Sequence, residues 1–261
     1  MSRAALLLAL LLGCRSESTR PSTPPNHTVE ELRVKVVRTL PHDHGAFTQG
    51  LLMFDGKLYE STGIMGASTL RRVDPDSGTV EAKVALDPRF FGEGLARVGG
   101  RLIQLTWKDG LALYWNLSSM TKEREVRYEG EGWGLCFDGH RLIMSDGSDQ
   151  LFFRDPDTFA KTGQITVRRA GGSVHMLNEL ECVDGVVYAN IWQDWHIARI
   201  DPATGEVTGW IDASNLLSPE ERAGTDVLNG IAAIPGSRNF FITGKYWPRM
   251  FEVELVPGPA M

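Results

Sequence analysis

The stretch FGEGLARVGGRLIQLTW, residues 91–107, decides the fold. It opens on Phe91-Gly92-Glu93-Gly94, continues as a short apolar strand, turns at Gly99-Gly100 and returns from Leu102 to Trp107. Four other stretches follow the same plan: FTQGLLMFDGKLYES (47–61), EGWGLCFDGHRLIMSDG (131–147), LNELECVDGVVYANIW (177–192) and LNGIAAIPGSRNFFITGKYW (228–247). Their turn glycines, Gly56, Gly100, Gly139, Gly185 and Gly236, recur at intervals of 39 to 51 residues. After the first four copies comes a second hairpin, whose turn begins at Asp74, Asn116, Asp155 or Asp201. Asp or Asn in first position, with Pro next in three of the four, suits a type I turn. The flanking residues alternate apolar and polar, as half-buried strands do. A period of about 45 residues with four strands per unit is the sequence signature of a β-propeller. The expected fold is therefore all-β, a five-bladed β-propeller over residues 31–261. The fifth copy ends early, so the strand-like ELRVKVVRT, residues 31–39, is expected to pair into the last blade and close the ring. A β-sandwich of repeated hairpins is the alternative.

Composition agrees with many short strands. The 261 residues include 28 glycines, 42% are hydrophobic, and the net charge is −6. With no basic run in the mature region, nucleic acid is not an expected partner. Residues 1–14 read as a signal peptide: a positive Met1-Ser2-Arg3, an apolar Ala4–Leu12, then Leu11-Leu12-Gly13-Cys14, which resembles a bacterial lipobox. Residues 15–30, beginning RSESTRPSTPPNHT, read as a flexible tether. The expected location is the bacterial cell envelope, periplasm or outer membrane, with the membrane touched only through a lipid on Cys14 and the protein monomeric. Cys136 and Cys182 occupy similar places in successive repeats and read as two buried thiols, a disulfide being the alternative that export would permit.

The residues leading into the inner strands are unusual for a core. They are Phe47 and Gln49, Phe91 and Glu93, Trp133, Asn178 and Glu179, and Asn229. The returning strands end at Trp107, at Trp192 and at Lys245-Tyr246-Trp247. In an antiparallel hairpin the first and last residues lie at the same end, so all of these can ring one opening. An aromatic pocket with a few polar groups is the usual make-up of a small-ligand site. Each residue also has a plainer reading: the tryptophans as core between sheets, Glu93 as a solvated turn residue between two glycines, Lys245 as a surface charge. His42 and His44 have no further ligands at metal-binding spacing.

Phe47-Thr48-Gln49-Gly50-Leu51, Phe91-Gly92-Glu93-Gly94, Leu105-Thr106-Trp107, Gly132-Trp133-Gly134-Leu135, Leu177-Asn178-Glu179-Leu180-Glu181, Ala189-Asn190-Ile191-Trp192, Leu228-Asn229-Gly230-Ile231-Ala232 and Thr243-Gly244-Lys245-Tyr246-Trp247 together resemble the glutaminyl cyclases of plant and bacterial type. The resemblance covers about residues 34–255. It implies a five-bladed propeller that converts the N-terminal glutamine of peptides and proteins to pyroglutamate, releasing ammonia. It also implies that Glu93 is the catalytic carboxylate, with Gln49, Asn178 and Lys245 as polar partners. Trp107, Trp133 and Trp192 would form the aromatic wall, with Phe47 and Phe91 beside it. No catalytic metal or other cofactor is implied, and the resemblance leaves room for a structural ion in the channel. Two other functions fit a propeller: a non-catalytic interaction module of the envelope, and a metal-dependent propeller enzyme whose ligand set cannot be assembled from these residues.

Overall fold

The computed structural model describes residues 28–258 and is all-β. The expected leader, Cys14 and most of the expected tether lie outside the described residues. Strand β1 (Glu30–Pro41) precedes four strands that pair in order: β2 (Thr48–Phe54), β3 (Lys57–Thr62), β4 (Thr69–Val73) and β5 (Val80–Ala85). A second four-stranded sheet holds β6 (Gly92–Val98), β7 (Arg101–Thr106), β8 (Leu111–Asn116) and β9 (Lys122–Arg127). A third holds β10 (Leu135–Phe137), β11 (Leu142–Met144), β12 (Gln150–Arg154) and β13 (Lys161–Thr166). The short pair β14 (Arg168–Arg169) and β15 (Gly172–Ser173) follows. Next come β16 (Leu177–Val183), β17 (Val186–Ile191), β18 (His196–Ile200) and β19 (Val207–Asp212), then one helical turn, α1 (Pro219–Arg222). The described chain ends with β20 (Leu228–Ala233), β21 (Phe240–Gly244) and β22 (Arg249–Pro257).

The turns form for the expected reason. The side-chain oxygens of Asp74, Asn116, Asp155 and Asp201 accept backbone N–H groups from Ser77, Ser118, Asp157 and Ala203, closing the β4–β5, β8–β9, β12–β13 and β18–β19 hairpins. In the second inner hairpin, Gly99 rather than Gly100 adopts the left-handed conformation.

Strand β1 pairs antiparallel with β22 over Leu32–Pro41 and thereby supplies a fourth strand to β20–β22. It also pairs in parallel with β19, from Glu30 opposite Gly209 to Arg33 opposite Asp212, which the repeat pattern did not foreshadow. The last two units are thus joined as one eight-stranded sheet.

The first strands of the five units form a cycle: β2 packs on β6, β6 on β10, β10 on β16, β16 on β20, and β20 on β2. Five apolar clusters lie around this cycle, each between neighbouring units. Leu70 and Leu102 meet in one, Ile103 and Leu142 in the next, then Ile143 and Val187, Ile197 and Ile242, and Leu58 and Phe241. Each fully buried aliphatic side chain stabilises the fold by roughly 1.5–3 kcal/mol, so every unit depends on both neighbours.

Glycines let the inner strands approach. A Cβ on Gly50 would stand 2.6 Å from the Leu95 nitrogen, one on Gly94 2.5 Å from the Leu135 nitrogen, and one on Gly134 2.0 Å from the Asn178 oxygen. The expectation that Gly92 and Gly94 mark a turn around Glu93 is corrected: Glu93 lies inside β6, and Gly94 serves close backbone approach between neighbouring sheets.

Cys136 and Cys182 are not free thiols. Cys136 on β10 and Cys182 on β16 form a disulfide, with Cα atoms 5.4 Å apart. Equivalent positions on successive inner strands become direct neighbours once the strands sit side by side. The bond closes a loop of 46 residues, which in the chain-entropy picture contributes about 4 kcal/mol. We expect Cys136→Ala/Cys182→Ala to lose stability of that order in urea denaturation, with dithiothreitol producing a similar loss in the wild-type protein. An unchanged urea midpoint in both cases would count against a stabilising role.

Candidate active site

Four of the five inner hairpins share an irregularity that aims their side chains. The β2–β3 register shifts between Thr48 and Gly50, that of β6–β7 between Gly92 and Leu95, that of β16–β17 between Leu177 and Leu180, and that of β20–β21 between Leu228 and Ile231. These shifts bracket Gln49, Glu93, Asn178 and Asn229. A bulge of this kind bends a strand and re-aims the residue it carries.

A cavity of about 330 Å³ results, and it brings the expected site residues together. Phe47, Gln49, Phe91, Glu93, Trp107, Trp133, Asn178, Trp192 and Lys245 all line it. The polar members are deeply buried, with Gln49, Glu93, Asn178 and Lys245 each at most 5% exposed. The aromatic members are half-buried and form the wall. Phe47 meets Tyr246 and Phe91 edge-on at 5.0 and 6.1 Å, Phe91 meets Trp107 at 5.6 Å, and Trp133 meets Trp192 edge-on at 5.6 Å.

Glu93 is held by one oxygen. The Gln49 amide donates to Glu93 Oε1 at 3.1 Å. Asn229 steadies this arm, its Nδ2 lying 2.8 Å from the Thr48 carbonyl oxygen and 3.5 Å from Gln49 Oε1. Burial lifts the proton affinity of Glu93 well above the usual carboxylate range; Lys245 opposes that and Glu131 adds to it. Burial lowers the proton affinity of Lys245, opposed by Glu93 and Asp226. Desolvation thus presses both groups towards their neutral forms. The Lys245 ammonium position lies 4.8 Å from the centre of the Phe47 ring.

Several residues at the site were not singled out from the sequence. Gln193, Asp226 and Val227 complete the lining. Glu131 Oε2 accepts the indole N–H groups of Trp107 at 2.7 Å and Trp133 at 3.1 Å. Its position immediately before Gly132-Trp133-Gly134 was the available signal. Gln193 and Tyr246 have positive φ, at 64° and 60°, a conformation that costs about 1–3 kcal/mol and concentrates at functional sites.

Other residues stand apart from the cavity. Trp247 is fully buried and packs on Trp195 at 6.0 Å, with its indole N–H donating to the Asp226 carbonyl. Glu179 points elsewhere, its two oxygens accepting the backbone N–H of Leu51 and of Ile231. His42 is engaged by the Trp247 carbonyl and by Glu60 at 2.7 and 3.0 Å. Among the described residues, no group of three or more His, Cys, Asp or Glu side chains is arranged to hold a metal ion.

A mostly aromatic hollow that buries one carboxyl and one amine is an enzyme-type site for a small polar group on an apolar stem. The chain belongs to the glutamine cyclotransferase family, whose family model matches residues 5–255. It is 39% identical over 265 residues to the glutaminyl-peptide cyclotransferase of Arabidopsis thaliana, covering all of this chain and 82% of that protein. The crystal structure of Myxococcus xanthus glutaminyl cyclase superposes with a TM-score of 0.80 at 44% identity, covering 88% of this chain and 100% of that one.

Proposed function

We propose that this protein is a five-bladed propeller enzyme that cyclises N-terminal glutamine of peptides and proteins to pyroglutamate and releases ammonia. The observation that carries the reading is Glu93: a buried carboxyl anchored through one oxygen by Gln49 and facing an aromatic cavity with Asn178 and Lys245. The family membership supports the activity. The closed cycle of inner strands supports the propeller.

The reaction is an intramolecular aminolysis, an acyl transfer from the side-chain amide nitrogen to the α-amine. Both partners belong to one residue, so the site's task is to orient them and move protons. The glutamine stem lies against Trp107, Trp133 and Trp192, with Phe47 and Phe91 beside them. The neutral α-amine attacks Cδ, the new C–N bond forms and the carbonyl oxygen gains negative charge. Asn178 and Lys245, which line the cavity, are the donors for that oxygen. Glu93 Oε2 takes the proton from the attacking nitrogen. The same proton passes to the departing nitrogen as the old C–N bond breaks, and ammonia leaves. A carboxyl with raised proton affinity suits both halves of this shuttle.

No step here calls on a metal or other cofactor. The test is to incubate the purified protein with a glutaminyl peptide, with and without a chelator, and to measure ammonia. Release that survives chelation is the expected result; none in either arm would sink the reading.

The pH dependence carries a sign. Glu93 must be ionised to accept the amine proton, so kcat/KM falls as pH drops through its raised value. Lys245 holds that value down. Lys245→Met therefore moves the acid limb of the profile to higher pH. A limb that stays in place or moves down would show that the two groups do not sense each other.

We also propose export, with residues 1–14 as a leader ending in a lipidated Cys14 and the protein acting as a monomer in the cell envelope. The Cys136–Cys182 bond supports an oxidising compartment.

A further inference from the structure

The aromatic wall consists of two groups of rings. Trp107 belongs with Phe91 and Phe47, and Trp133 with Trp192. No ring contact joins Trp107 to Trp133 among the described residues. The link is one atom: Glu131 Oε2 accepts both indole N–H groups, at 2.7 and 3.1 Å.

The segment that presents this oxygen is fixed at close range. Gly132 N–H donates to the Trp107 carbonyl and Trp133 N–H to the Ser145 carbonyl, both at 3.0 Å. A Cβ on Gly132 would stand 2.1 Å from the Tyr128 hydroxyl oxygen, so a larger residue here would have to displace that ring. A plainer account would make Glu131 the surface partner of Lys108, 3.7 Å from its other oxygen. Exposed pairs of that kind contribute little, and the pairing would leave the double indole contact unexplained.

We propose that Glu131 is a positioning residue, whose single carboxylate oxygen locks the two halves of the aromatic wall into one substrate-gripping surface. This rests on the cyclotransferase reading of the cavity. Glu131 touches neither reacting atom in that scheme. It acts through the indoles, whose edges it sets, and those rings hold the glutamine stem in ground state and transition state alike. Loss of the lock therefore appears mainly in KM.

Two substitutions separate reach from charge. Glu131→Gln keeps an acceptor oxygen at the same reach and loses the charge. Glu131→Asp keeps the charge but draws the oxygen back by one carbon–carbon bond, out of range of one or both indoles. For a glutaminyl peptide, the Asp variant is expected to raise KM about tenfold, the scale of a lost charged hydrogen bond. Its kcat should change less than about threefold, and the Gln variant should keep KM within about threefold of wild type. Mere destabilisation would lower apparent kcat and leave KM alone. Tryptophan emission of the unliganded protein reads the same contact without substrate, and it should shift in the Asp variant more than in the Gln variant. Ammonia release by the wild-type protein separately tests the cyclotransferase reading. Wild-type KM and emission in Glu131→Asp, or a Gln variant as impaired as the Asp variant, would overturn the proposal.

Discussion

Glu93→Gln is expected to lower kcat for glutaminyl-peptide cyclisation by a factor of about a hundred to ten thousand, the usual contribution of a positioned general acid–base group, while the protein stays folded. The substitution preserves shape and removes the ability to carry a proton between two nitrogens. It should be gentle on the fold because burial already favours the uncharged carboxyl at this position. The new amide can turn its oxygen towards the Gln49 donor that now meets Glu93 Oε1 at 3.1 Å. Single-turnover ammonia release with matched circular dichroism is the measurement. Turnover near the wild-type rate would remove Glu93 from its assigned step, whatever the family resemblance.

The second large effect concerns stability. In four of the five units a glycine follows the residue that leads into the inner strand: Gly50, Gly94, Gly134 and Gly230. The fourth unit has Glu179 there instead. Glu179 is 1% exposed, and its carboxyl accepts Leu51 N–H at 3.2 Å and Ile231 N–H at 3.0 Å, clasping β16 to β2 and β20. Glu179→Leu strands both amides without an acceptor. At about 1–3 kcal/mol for each buried unsatisfied group, the loss is roughly 2–6 kcal/mol. Glu179→Gln retains an acceptor and should lose less. Equilibrium urea unfolding reads both, and a Leu variant within about 1 kcal/mol of wild type, the range of an ordinary substitution, would show that the clasp is dispensable.

The same carboxyl makes stability depend on pH. Burial, with Glu181 nearby, raises its proton affinity well above the unfolded value, against the pull of the two amides. The folded state holds the proton where the unfolded chain has released it. Its contribution is therefore complete below the unfolded value and declines as pH rises through the folded one.

What could be read in advance was whatever each repeat states locally. The Asp74, Asn116, Asp155 and Asp201 turns, the inner hairpins and the aromatic and polar residues at their ends need only short-range chemistry, and all appear as expected. What could not be read required knowing which strands become neighbours. Gly94 looks like a turn residue until the Leu135 nitrogen is seen 2.5 Å from its missing Cβ. Cys136 and Cys182 look like two separate core thiols until β10 and β16 lie side by side. Glu131 and Asp226 are ordinary surface acids in the sequence and acquire meaning only from the indoles and the lysine they face. The direction of the Glu93 shift was undecidable because burial and Lys245 oppose each other, and the strength of burial is a property of the assembled cavity.

The double pairing of β1 has a bearing on how the molecule comes into being. This strand is the first of the described segments to be synthesised, and its antiparallel partner Arg249–Pro257 is among the last. Until the final residues arrive, the leading segment has nothing to zip against and the circle stays open. Contacts this distant in sequence are slow to form. A chain that cannot finish itself before its tail is released completes its assembly only after synthesis has ended.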